Sequence, residues 1–242
     1  MREVYFLILG ILLISLIYAY FKPEQYERGI VSLSFDDGVL TQYENAFPLM
    51  QKYNYTGTVY YAINTTRFYE LEPRKLMSVE NLIEMHGVGW EIGAHTVNHV
   101  NLKNADDEQL EYELTYPIEF FKEEGITVKT ISFPYGAYDE RVIENIKKYY
   151  AASRTSMWGF NDRGTDKYHL KTKVIQIDSS PEEICRWIKQ AEQNKEWVIL
   201  MFHSVENEKT KKYDISVHEF EQILRCINQS DIKVMNVKDV VN

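Results

Sequence analysis

The chain has 242 residues, is 45% hydrophobic and 26% charged, and carries a formal net charge of −9. That length buries a core of ordinary domain size, and the acidic balance argues against a duplex or another polyanion, so no nucleic-acid partner is expected. Cys185 and Cys226 exclude a cysteine metal cluster and a disulfide-stapled scaffold; they are either two buried thiols or, outside the cytoplasm, a single bridge.

Val4 to Phe21 is an uncharged run between Arg2-Glu3 and Lys22. As a helix it is about 27 Å long, enough to cross a hydrocarbon core, with Tyr5 at one interface and Tyr18, Tyr20 and Phe21 at the other. It reads as an uncleaved N-terminal transmembrane helix; a signal peptide is the alternative, but no clear small-x-small cleavage site follows. Arg2 and the α-amine stand against Lys22 and Arg28, so the positive-inside count barely sets the orientation. Residues 1–28 are thus an anchor and short linker, and residues 29–242 one domain with no low-complexity tract or internal repeat.

Within that domain the stretch Ile30 to Gly38 opens as a strand, with Val31, Leu33 and Phe35 alternating with Ser32 and Ser34, and then sets two carboxylates before Gly38. Thr41 to Tyr53 has helical spacing through Tyr43, Phe47 and Met50, with Pro48 demanding a late start or a kink. Gly57 to Ile63 is a β-branched and aromatic strand; Ser78 opens a helix that stops at Gly87. Trp90 to Ala94 is a strand, Asp106 to Glu124 a helix, Val128 to Phe133 a strand, and Asp139 caps a helix to Tyr150. Ala151 to Thr155, Thr172 to Ile177, Trp197 to Phe202 and Ile232 to Val237 are further strands, while Ser180 and Ser216 open the helices carrying Trp187 and Phe220. Regular alternation of strand and helix implies an α/β fold with a parallel sheet or barrel, whose strand ends on one side form the site.

Polar residues gather at those strand ends. Asp36 and Asp37 stand side by side before Gly38: a solvated turn, or two carboxylates of which one ligates a cation and the other serves as a base. His95 and His99 would be about 13 Å apart on a strand but about 6 Å apart on a helical turn, so sharing a metal requires the chain to coil after His95. Two imidazoles and one carboxylate make the three-ligand set of a catalytic zinc-type site; a hydrogen-bonded surface pair is the other reading. Phe133-Pro134-Tyr135-Gly136 is a shaped loop, and His203 ends an apolar strand where a general acid could stand.

In this order Ser34-Phe35-Asp36-Asp37-Gly38, His95-x-x-x-His99, Phe133-Pro134-Tyr135-Gly136 and Leu200-x-x-His203 closely resemble the motifs of the polysaccharide deacetylase family, carbohydrate esterase family four, over Gly29 to Val240. The resemblance implies a distorted (β/α) barrel of seven or eight strands and a divalent metal, usually zinc and sometimes cobalt or nickel. It implies Asp37, His95 and His99 as metal ligands, Asp36 as general base and His203 as general acid, with the Tyr135 N–H sharing the oxyanion. Asp178 is the candidate carboxylate supporting His203, or else part of the cap of the following helix.

One departure is plain: many members carry an arginine two residues before the motif proline, where it orients the base, and this chain has Ser132. Arg154, near the end of the next strand, is the candidate substitute; a pairing with a surface carboxylate is the alternative. Tyr135 and Trp158 are the aromatic residues best placed to stack on sugar rings, and Asn54, Asn64 and Asn228 head glycosylation-type tripeptides. The expected protein is a membrane-anchored, extracytoplasmic metal-dependent deacetylase of N-acetylated sugars. O-deacetylation, deformylation of a polyprenyl-linked sugar, and a non-catalytic carbohydrate-binding role are its rivals.

Overall fold

Alternate residues of β1 (Ile30–Asp36) go to different environments although all seven are buried. Val31, Leu33 and Phe35 join the large apolar core beneath the helices, whereas Ser32, Ser34 and Asp36 turn the other way, toward Trp197 and Arg154. A strand with one apolar and one polar face, both out of water, belongs in the wall of a barrel whose interior is polar.

The computed structural model of the chain describes residues 25–64 and 74–241. After β1, a π-helical turn (Gln42–Ala46) leads into α1 (Phe47–Lys52), whose first turn holds Pro48; β2 (Thr58–Tyr61), α2 (Val79–Gly87), β3 (Glu91–Ala94) and α3 (Asp107–Glu123) follow. Next come β4 (Thr130–Ser132), α4 (Glu140–Ile146), β5 (Ala152–Trp158), β6 (Leu170–Val174), α5 (Pro181–Asn194) and β7 (Trp197–Phe202). A small ribbon of β8 (Ser204–Glu206) and β9 (Asp214–Ser216) precedes α6 (Val217–Asn228), β10 (Lys233–Val234) and α7 (Val237–Val240). Ser78, Asp106, Asp139, Ser180 and Ser216 each accept the backbone N–H three residues on, as their N-cap positions require.

Strands β1 to β7 pair in parallel in chain order, and β7 returns to β1 from Ile30↔Trp197 to Phe35↔Phe202, closing the barrel. The eighth strand of the sheet, β10, takes the β1 edge at Ile30 and Val31 before β2 takes it from Ser34. The expected barrel is therefore present, with seven closing strands. The Val4 to Phe21 anchor lies outside the described residues, and among those described no helix is long and apolar enough to cross a membrane.

Several elements differ in extent from their sequence patterns. Strand β6 stops at Val174, short of Ile177, and β5 continues to Trp158. The last strand is only two residues, because the chain turns at Asn236 into α7. That turn is fixed by the barrel: the Val237 N–H donates to Thr58 Oγ1 at 3.1 Å and the Lys238 N–H to Glu91 Oε2 at 2.8 Å. Cys185 on α5 and Cys226 on α6 are joined as a disulfide, their Cα atoms 5.9 Å apart.

Glu91 sits inside the barrel at its N-terminal end. It accepts from Thr58 Oγ1 at 2.8 Å and Thr130 Oγ1 at 2.5 Å as well as from the Lys238 amide. Burial pushes its pKa above the ordinary carboxylate range, against the pull of these bonds. Removing the acceptor strands two hydroxyls and an amide in a dry interior, each costly. Glu91→Ala is expected to destabilise the fold by about 2–4 kcal/mol, read from urea unfolding; a loss within experimental error would show that water replaces the carboxylate.

Candidate active site

At the C-terminal ends of the barrel strands lies a cavity of about 370 Å³ whose lining includes Asp36, Asp37, His95, His99, Arg154 and His203. How the two adjacent carboxylates come to face different partners follows from the backbone. Asp36 is the last residue of β1 and points into the barrel; Asp37 (φ 71°) and Gly38 (φ 74°) are both left-handed, so the chain reverses at once. A side chain at position 38 would meet the Tyr61 ring at 2.2 Å, so only glycine fits the turn.

Asp37 meets the two histidines. His95 follows β3, and the chain does coil beyond it, with Thr96 at φ 65° and His99 at φ 49°. His95 Nε2 lies 3.4 Å and His99 Nε2 3.3 Å from Asp37 Oδ1, and one ligand atom from each residue falls within 4.8 Å of the others. His95 Nδ1 is 3.0 Å from the Ser132 carbonyl and 2.6 Å from its hydroxyl. Donating Nδ1–H to that carbonyl leaves the Nε2 lone pair facing Asp37, the tautomer a metal ligand needs.

These residues fit a divalent cation. Asp37 Oδ1 is buried and has no hydrogen-bond partner among the described residues, the imidazole contacts being longer than ordinary N–H···O bonds. A buried anionic oxygen facing two imidazole nitrogens is a donor set short of one positive charge. Burial alone would raise the Asp37 carboxyl; with no ion bound, imidazole N–H groups turned toward it in place of the lone pairs, and the His203 charge, outweigh that and hold it well below the usual range.

Asp36 meets Arg154 instead. The guanidinium Nη2 donates to both carboxylate oxygens, and both side chains are almost fully buried. Arg154 lies on β5 directly across from Ser132 on β4, packs its guanidinium 5.1 Å above the Tyr60 ring, and donates through Nη1 to the Thr155 carbonyl. Of the two readings of Arg154, the surface pairing is absent; its partner is the motif aspartate.

His203 follows β7, is half-buried, and stacks on Tyr213 with ring centroids 4.4 Å apart. Burial lowers its imidazole below the ordinary histidine range, while the Asp37 and Asp36 charges pull it back up. Asp178 does not take the supporting place expected of it. Because β6 ends at Val174, Asp178 is carried past the cavity to an exposed position before α5, and the carboxylates acting on His203 are Asp37 and Asp36. Tyr135, at φ 59° on the 3₁₀ turn Pro134–Gly136, is 64% exposed and sets its ring edge-on to His99 at 4.8 Å. Trp158 is 57% exposed with Lys173 Nζ 4.1 Å from its ring, and it does not line the cavity.

Two further features had no clear sequence signal. Gln42, buried in the π-helical turn, donates through Nε2 to the main-chain carbonyls of both Asp36 and His203, tying the ends of β1 and β7 together. Its position on the buried face of a short helix gave no hint of this. Asp214 of β9 is another buried carboxylate, which accepts from Ser204 Oγ at 2.6 Å and the Lys211 N–H at 2.7 Å and pairs with cavity-lining Arg74 at 3.0 Å. In the sequence it follows two lysines and a tyrosine and resembles any surface acid.

Comparison with known proteins bears on this arrangement. Residues 24–152 match the polysaccharide deacetylase family. The chain is 30% identical over 187 residues to a poly-β-1,6-N-acetyl-D-glucosamine N-deacetylase of Staphylococcus aureus, an alignment covering 69% of this chain and 62% of that protein. It therefore spans about three-fifths of the length of that relative. Among solved structures, the Streptococcus pyogenes deacetylase PplD in complex with acetate has a TM-score of 0.58 at 22% identity, over 64% of this chain and 68% of that one. BA3943 of Bacillus anthracis, described as a CE4 family pseudoenzyme, has a TM-score of 0.62 at 12% identity, over 89% and 66%. At these identities the solved structures speak for the fold, and the family match, which takes in more than half of the chain and the ends of β1, β3 and β4, makes this protein a member of the polysaccharide deacetylase family.

Proposed function

We propose that the chain is a metal-dependent hydrolase that removes N-acetyl groups from amino sugars of a cell-surface or lipid-linked polysaccharide. The observation that carries the reading is the division of labour between the adjacent carboxylates: Asp37 faces two imidazoles and Asp36 faces Arg154, within one cavity that His203 also lines. The similarity to an N-acetylglucosamine-polymer deacetylase supports the substrate class.

In this reading Asp37, His95 and His99 hold the cation, for which two nitrogens and one oxygen favour zinc, with cobalt or nickel as alternatives. When bound, such an ion acidifies water and polarises an acyl oxygen. Asp36 takes the proton from the attacking water, and Arg154 fixes the carboxylate in place while balancing its charge. His203 gives a proton to the departing amine: burial makes that proton easy to release, and the nearby Asp37 and Asp36 charges keep it bound until it is needed. The Tyr135 main-chain N–H, held on a left-handed turn at the cavity edge, is assigned to the developing oxyanion. The uncharged Val4 to Phe21 run supports a single-pass anchor, and the paired cysteines support a domain outside the cytoplasm.

A non-catalytic carbohydrate-binding role is the second reading, favoured by Ser132 and by the likeness to a pseudoenzyme fold. Arg154 speaks against it, since it supplies from β5 the cation that position 132 lacks.

Acetate release from N-acetylglucosamine oligomers is expected to vanish on chelation and return with zinc, cobalt or nickel. Asp36→Asn and His203→Ala should each lower kcat by about 10²-fold or more; full activity in either variant would remove its assigned proton transfer. Metal uptake without acetate release from any oligomer would redirect the search to O-acetyl, formylated or lipid-linked substrates, and failure to take up metal would favour the binding role. Arg154→Ala is expected to reduce kcat by roughly 10–100-fold, with Arg154→Lys recovering only part of it because an ammonium restores the charge without the planar guanidinium's packing on Tyr60 and its Nη1 bond to Thr155; unchanged turnover in Arg154→Ala would dismiss the substitution of one arginine for another.

A further inference from the structure

Glu113 lies in the middle of α3 and is fully buried. A carboxylate there is expensive unless bonds from elsewhere compensate it. Its bonds go to one segment: Oε2 accepts the backbone N–H of Val97 at 2.8 Å and of Asn98 at 2.9 Å, and Oε1 accepts Asn98 Nδ2 at 2.8 Å. Val97 and Asn98 lie in the three-residue bridge between His95 and His99.

That bridge is not a relaxed conformation. Thr96, β-branched, sits at φ 65°, and His99 at φ 49°, values that persist only where the surroundings over-determine them. On its other side the bridge is held by the exit of β2, where the Asn64 N–H donates to the Val97 carbonyl at 2.6 Å and Asn64 Nδ2 to Asn98 Oδ1 at 3.1 Å. The left-handed turns are what bring the Nε2 atoms of His95 and His99 onto the same oxygen of Asp37.

We propose that Glu113 is the positioning residue of the metal site: its carboxylate holds the strained His95–His99 bridge in the ligating shape before any ion arrives. The inference rests on the reading of Asp37, His95 and His99 as metal ligands. Only an acceptor with two oxygens satisfies the three donors that converge here. Glutamine at 113 would keep one oxygen for the two amides and turn its own NH₂ against Asn98 Nδ2, donor against donor. Aspartate at 98 would then repair the mismatch, since it can accept from the new amide with one oxygen and from Asn64 with the other.

The experiment measures zinc affinity of the full chain, stripped of metal, by competition with a chromophoric chelator, and follows cobalt(II) uptake by its visible absorption. Glu113→Gln is expected to weaken zinc binding by about 10-fold or more, in the range set by partners that orient metal ligands, and Asn98→Asp/Glu113→Gln to return it to within about 3-fold of wild type. Thermal midpoints of the metal-free proteins are recorded alongside. An unchanged zinc affinity in Glu113→Gln, or a lowered midpoint with no change in affinity, would reduce Glu113 to an ordinary tie between helix and loop and overturn the proposal. If Glu113→Gln does not fold, Asn98→Ala, which leaves both amides on Oε2 and removes the Oε1 bond together with the one from Asn64, takes its place with the same two outcomes at a smaller shift of about 3-fold. A wild-type chain that takes up no metal overturns the ligand reading itself, and this inference with it.

Discussion

A guanidinium and a carboxylate locked together inside a barrel set the terms for everything around them. The Asp36–Arg154 pair is almost fully buried where it lines the cavity, and burying such a pair gains little: the cost of stripping both ions of solvent roughly cancels their attraction, and apolar replacements of similar size are often as stable. What the pair does demand is that neither partner be left alone. Tyr60 lays its ring beneath the guanidinium, Met201 and the Thr155 carbonyl take its other edge, and Gln42 fixes the carbonyl of Asp36 from outside the barrel. Gly93 belongs to the same constraint, for a Cβ there would sit 2.6 Å from the Tyr60 ring and push it off its place.

From Tyr60 the polar interior continues downward. The Thr130 hydroxyl stands 3.2 Å from the Tyr60 phenol oxygen and donates to Glu91, which in turn caps the amide of Lys238. The barrel thus has its larger apolar cluster between wall and helices, a smaller one around Ile30, Trp197 and Ile199, and a polar chain that runs from Arg154 through Tyr60 and Thr130 to Glu91. An interior of this kind tolerates charge at one end because it is already organised around donors and acceptors, whereas an aliphatic interior would have to desolvate the Asp36–Arg154 pair against nothing.

Much of this was legible in the sequence. The parity of Val31, Leu33 and Phe35 against Ser32 and Ser34 marked a strand, and the capping residues Ser78, Asp106, Asp139, Ser180 and Ser216 marked helix starts, because both signals are local and have one structural solution. The convergence of Asp37, His95 and His99 is readable for a different reason: polar side chains at the C-terminal strand ends of a barrel can meet only on one side. The absence of a cation at position 132 points to Arg154 on the neighbouring strand, and the cross-strand register Ser132↔Arg154 is the geometric reason. Asp178 is misplaced by sequence because the apolar pattern of β6 runs three residues past its end toward Asp178, and strand ends depend on pairing partners distant in sequence. Gln42, Glu113 and Asp214 stayed hidden for a shared reason. Each is a polar residue on an amphipathic element, and only tertiary contact tells a buried one from a solvated one.

The first strand has a further consequence for how the chain reaches this state. Along one edge β1 waits for β7, about 170 residues later, and along the first part of its other edge for β10, more than 200 residues later. Until those arrive, β1 presents unpaired backbone and an apolar face to whatever is near, and its closing contacts are among the most non-local the chain makes. Such an arrangement slows folding and exposes an aggregation-prone edge in the meantime, because loop entropy is paid before the pairing that rewards it. A chain of this design benefits from being kept apart from its own copies until the last strand is available.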